Sequence, residues 1–216
     1  MRQLLCALVF AIVATPAFAD PPEGELTAAP GSIAIGMIER ADAIDVFDIV
    51  HNGQVSVRHL GSGLRCHFMR DGAGGRIMLF PGLPRGDDVA CDTTDGRENV
   101  TLYATRLPFP STLEELLGSA NAALHSHFPN AQAYAASQEM ASDGITPPLR
   151  TSQFLVQRAD GARIYMRISV AQVGAWVIKQ RYATLAPDDE AARQGEQTSS
   201  MSFAGVLGEI VATPSP

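Results

Sequence analysis

Two hydrophobic periods divide the chain. Between residues 44 and 107, apolar and polar positions alternate in short runs, "FDIV", "QVSVRH", "LRCHFM", "GRIMLF", "DVACD" and "NVTLYATR", separated by glycine-, proline- and asparagine-containing turns. Successive side chains on a strand point to opposite faces, so this alternation predicts half-buried antiparallel β-strands. Asn52-Gly53 between the first two runs predicts a type I′ hairpin, because both residues tolerate positive φ. A short helix is expected at 33–40.

Past residue 110 the period changes. Leu113, Leu116, Leu117, Ala120, Leu124 and Phe128 form one helical stripe behind Ser111 and Glu114, which have capping-box spacing, and Pro129 ends the run. "SQFLVQRADGARIYMRISVAQVGAWVIKQRYAT" predicts a three-stranded meander whose first turn is Asp160-Gly161. On its second strand Ile164, Met166, Ile168 and Val170 share one face, and Arg163, Tyr165 and Arg167 share the other. On its third strand Trp176 and Ile178 oppose Val177, Lys179 and Arg181, which suggests one apolar and one basic face for the meander. "PDDEAARQGEQTSSMSFAGVLGEIVA" predicts a closing helix, acidic at its start, that packs through Phe203, Val206, Leu207 and Ile210. The expected fold class is therefore α+β: an antiparallel sheet of meander and hairpin strands packed against two main helices.

The order strands, helix from "STLEELL" to "HFPN", hairpin "FLVQRADGARIYMRISV", strand "WVIKQRYAT", closing helix resembles the PsbP-like fold over residues 64–211. The resemblance implies an α+β sandwich, with an antiparallel sheet between helices, in a family that includes exported bacterial lipoproteins. It implies no shared catalytic residues, because members of that fold have dissimilar roles.

The opening "MRQLLCALVFAIVATPAFAD" has a basic start at Arg2, a short apolar run, and small residues at Ala17 and Ala19. This pattern predicts a signal peptide over 1–19, cleaved between Ala19 and Asp20, and a periplasmic or secreted product. The run from Leu4 to Ala14 falls well short of the ~20 residues that span a bilayer, so no stable membrane anchor is expected after cleavage. Residues 20–32, "DPPEGELTAAPGS", suggest a flexible mature N-terminus, followed by a single domain over 33–211. Within it a strand-rich part spans 44–107 and a helix-meander-helix part 111–211. Loss of Arg2 leaves 15 basic against 23 acidic residues, a formal net charge of −8, which disfavours nucleic acid and anionic membrane as partners.

Export decides what the cysteines do. Cys6 leaves with the signal, and Cys66 and Cys91 remain in an oxidising compartment, where one disulfide is expected to clip two strands of the sheet. His67 adjoins Cys66, but neighbouring strand residues face opposite ways, so the pair does not read as a thiol–imidazole centre. His125 and His127 lie about 200° apart on the predicted helix, with His127 on its apolar stripe and His125 on its polar flank. No zinc-ligand spacing, serine-hydrolase motif or phosphate loop is present, so no metal, cofactor or catalytic set is assigned. The favoured reading is a non-catalytic binding or accessory protein. An alternative is an envelope hydrolase in which His51, His59 or His67 meets Asp87, Asp88 or Asp92 from separate strands. The two strand-end histidines, His51 and His59, otherwise read as partly exposed. Arg163, Tyr165, Arg167, Lys179 and Arg181 are the candidate ligand residues, for an anionic small molecule or an envelope protein. Against that stands pairing of the arginines with Asp188, Asp189 or Glu190.

Overall fold

The computed structural model describes residues 28–134 and 147–212; the signal segment 1–19, its cleavage point, Cys6 and residues 20–27 lie outside the described residues. The chain runs α1 (Pro30–Arg40), β1 (Phe47–Ile49), β2 (Ser56–His59), β3 (Arg65–His67), β4 (Arg76–Leu79), β5 (Asp88–Thr94) and β6 (Glu98–Thr105). It continues α2 (Leu113–His127), β7 (Gln132–Ala133), β8 (Leu149–Gln157), β9 (Arg163–Val173), β10 (Trp176–Leu185) and α3 (Asp189–Ala212). The fold is α+β. Its strands form two antiparallel sheets, one of order β1-β2-β3 and one of order β4-β5-β6-β10-β9-β8-β7.

Pairing of β10 with β6 joins the strand-rich part and the meander in one sheet. One face of that sheet carries Val89, Cys91, Leu102, Ala104 and Ile178, packed with α1, the small sheet and Phe203, Leu207 and Ile210 of α3. On the opposite face Phe154, Val156, Met166, Ile168 and Val170 lie under α2, through Leu124 and its stripe neighbours. A third cluster, Tyr165, Tyr182, Ala186 and Ala192, sits under the start of α3.

Several local expectations change. Helix α1 starts at Pro30, where the fixed φ of proline suits the first helical position, so the last residues of the expected flexible N-terminus are ordered. The β1–β2 connection is a wider loop than a type I′ turn: Gly53 adopts φ +77° alone, and Asn52 Oδ1 accepts the Gln54 amide at 3.0 Å. The cap of α2 shifts by one residue. Thr112 Oγ1 accepts from the Glu115 amide and Glu115 accepts from the Thr112 amide, while Glu114 turns to Arg150 at 2.7 Å. His125, not His127, packs its ring edge-on against Phe154, at 5.3 Å between centroids. The Cys66–Cys91 disulfide forms, but it bridges β3 to β5 and so ties the two sheets together instead of clipping one.

Candidate functional site

The small sheet leaves a groove where it meets the large one. Its walls are the first turn of α1, the β2–β3 strand ends and the β5–β6 hairpin, and it encloses about 1270 Å³. Ile33, Val55, Phe68, Met69 and Val100 supply its apolar lining. Asp71, Asp95 and Glu98 line it against a single arginine, Arg70. Amide hydrogen bonds from Glu98 and Arg97 hold the Asp95 carboxyl below the usual carboxylate range, so this acid is an anion at neutral pH.

His67 borders the groove at the end of β3, and it collects two partners that lie far apart in sequence. Its register partner Ser56 lies 2.9 Å away, Oγ to Nδ1, and Glu209 near the end of α3 lies 3.3 Å away, Oε2 to Nε2. One neutral tautomer satisfies both contacts, the Ser56 hydroxyl donating to Nδ1 and Nε2–H donating to Glu209. The constituents match a serine–histidine–carboxylate chain, but its chemistry is blocked at both ends. Ser56 is 0% exposed, so no substrate carbonyl reaches Oγ, and neither imidazole nitrogen is left over for a substrate or water. The chain serves to fasten α3 to the small sheet.

His59, expected to be partly exposed, is 2% exposed. Its Nδ1 meets Ser62 Oγ at 2.8 Å and takes the Ser62 amide at 3.1 Å, while its ring lies between Phe47 and Trp176. Burial pushes its pKa down to about 4, against smaller opposing effects from the Gly86 backbone and Asp87. Asp87 itself is held by Arg106 at 2.6 Å. This cluster is packed interior.

The five meander residues do not form one surface. Arg167 pairs with Tyr182 and Tyr165 with Thr184 across β9–β10, whereas Lys179 pairs with Val170 and Arg181 with Ile168. Paired residues share a face, so Arg163, Tyr165 and Arg167 lie on the α3 side and Lys179 and Arg181 on the α2 side. Tyr165 is 0% exposed and donates to Gln153 Oε1 at 2.8 Å; burial raises its hydroxyl pKa to about 12. Arg167 is buried and donates to Ser169, Ser200 and the Glu196 carbonyl. Arg163 pairs with Asp189 at 2.6 Å. The α3-side trio therefore anchors the closing helix.

Among the described residues no group of three His, Cys, Asp or Glu side chains is set to hold a metal, and no helix is long and apolar enough to cross a membrane. No protein-family model matches the chain, and no curated protein matches it. The chain is similar to a solved structure, that of LpqN, described as involved in cell envelope biogenesis of Mycobacterium tuberculosis. The similarity has 14% identity and a TM-score of 0.32, over 65% of this chain and 84% of LpqN. At that score nothing of LpqN is assigned to this chain.

Proposed function

We propose that the protein is exported by its signal segment and acts in the periplasm or outside the cell as a non-catalytic binding or accessory module. The groove carries this reading: its volume exceeds the ~300–1000 Å³ of common ligand sites, and its lining sets an apolar wall, Ile33, Val55, Phe68, Met69 and Val100, beside charged and polar groups. The disulfide supports an oxidising compartment. The burial of His59, the hold of Arg106 on Asp87 and the two-sided engagement of His67 by Ser56 and Glu209 weigh against the envelope-hydrolase alternative. Three acids against one arginine favour an apolar ligand with an uncharged or cationic polar end.

An uncharged apolar dye, N-phenyl-1-naphthylamine, tests the reading. Its fluorescence should rise on mixing with the mature protein, and Met69→Glu, at a side chain 46% exposed, should weaken binding several-fold without changing the melting temperature. Absence of dye binding, or identical binding by the variant, would count against the groove. A fluorophosphonate probe should leave Ser56 unlabelled; labelling there would restore the hydrolase.

A further inference from the structure

The large sheet is covered unequally. On its α2 side the helix packs over β8 and β9, and among the described residues no helix packs on that face of β4, β5 and β6. Strand register sets the side chains of this open half in rows: Arg76, Asp92, Thr101 and Arg181; then Met78, Ala90, Tyr103 and Lys179. Phe80 stands beside the second row, stacked on Tyr103 at 6.2 Å between centroids and 20° between planes. Four strands present a shallow strip ~14 Å wide. Phe80 is 37% exposed, and Met78 and Tyr103 are half-buried.

The charges on this strip do not balance locally. Asp92 is engaged by Arg76 at 3.2 Å, Asn99 at 3.2 Å and Thr101 at 2.8 Å, and Asp88 accepts from Thr105 at 2.8 Å. Lys179 and Arg181 form no salt bridge within 4.0 Å among the described residues; Lys179 lies 4.0 Å from the Tyr103 ring centroid and Arg181 reaches only the Thr101 hydroxyl at 3.3 Å. Burial depresses the Lys179 pKa; Asp88 opposes that and Arg181 adds to it. An anion between the two cations would relieve their repulsion.

We propose that this open half of the sheet is a second binding surface, distinct from the groove, that takes an anionic polysaccharide. Sugar rings present flat C–H faces that pack on exposed Phe80 and the half-buried Met78, their hydroxyls find the Thr105 and Asn99 side chains, and their acidic substituents pair with Lys179 and Arg181. A shallow strip suits an extended polymer, and the unpaired cations select an acidic one on a chain that is otherwise strongly negative.

Dextran sulfate is the probe, titrated calorimetrically into the mature chain at low salt, with plain dextran and polyglutamate as controls. Dextran sulfate should bind, polyglutamate should bind about tenfold more weakly and plain dextran not measurably. The double variant Lys179→Gln/Arg181→Gln should lose about tenfold in affinity, the order expected for charge-assisted contacts. Phe80→Ala should lose several-fold, and Met69→Glu in the groove should lose nothing. Lys179 is the only lysine of the chain, so its labelling by an acetylating reagent reads the site directly and should fall several-fold with dextran sulfate present. Unchanged labelling, equal affinity for polyglutamate, or wild-type binding by the double variant with its melting temperature intact would overturn the proposal.

Discussion

His59, at the end of β2, is sealed in the interior with Phe47 and Trp176 packed against its ring. Its burial makes a pH prediction. Because the folded pKa is depressed to about 4 from 6.5, the unfolded chain takes up the proton first, so stability is complete above pH 6.5 and is lost as pH falls towards 4. The full difference corresponds to about 3 kcal/mol. Urea midpoints measured from pH 7 to pH 4 should fall in the wild type, and His59→Phe should flatten that part of the slope. The arginines make a contrasting pair. Arg167→Glu places an acid in a buried setting beside the Glu196 carbonyl and should cost about 3 kcal/mol or more, whereas Arg163→Glu, at an ion pair on the helix rim, should cost under about 1 kcal/mol. Near-equal small losses for both would show that Arg167 is not an anchor.

At the scale of elements, strand and helix identity was largely legible because period two and the helical stripe persist over whole segments. Every strand run named from the pattern is a strand, and α3 remains continuous despite its glycines and serines. Facing was not legible. The β9–β10 connection is the two residues Gly174 and Ala175, and that length sets odd positions of β9 opposite even positions of β10. A one-residue change in register exchanges every side chain of a strand between faces, and for this reason the expected basic face splits into a helix anchor and an open pair. The groove and the Ser56, His67 and Glu209 contacts were hidden for a related cause: they join elements whose pairing follows from tertiary register. Helix α3 also shows how closely two elements can approach. A Cβ on Gly195 would stand 2.8 Å from Thr184 Cγ2 and 2.9 Å from Tyr165 Cδ1, both in packed surroundings. Gly195→Val should therefore lift the start of α3 and cost about 1–3 kcal/mol, while Gly205→Ala, which meets nothing within 4 Å, should be neutral or slightly stabilising in the same denaturation assay.

For the molecule as a whole, the distinctive feature is how a weak unit is held to a strong one. The large sheet has seven strands with helices on both faces, whereas the small sheet has three strands of only three or four residues each. A sheet of that size has little independent stability, and it depends on the core it shares with the large sheet, α1 and α3, and on two ties, the Cys66–Cys91 bridge and the His67–Glu209 contact. The groove opens beside these ties, so the geometry of the candidate site depends on them. Closing a loop of 25 residues stabilises by about 3–4 kcal/mol in the chain-entropy model. Because the bridge joins two sheets, its loss should be felt unevenly. Thiol titration of denatured, unreduced protein should find no free thiol, and reduction should release two. Hydrogen exchange on the reduced native protein should then quicken first in β1, β2 and β3, with β8, β9 and β10 retaining most of their protection. Binding of the apolar dye should weaken in the same samples, since the groove walls come from both units, while dextran sulfate binding at Lys179 should persist. Uniform loss of protection across both sheets would instead mean that the bridge stabilises one cooperative unit, and the groove and the open sheet face would then fail together.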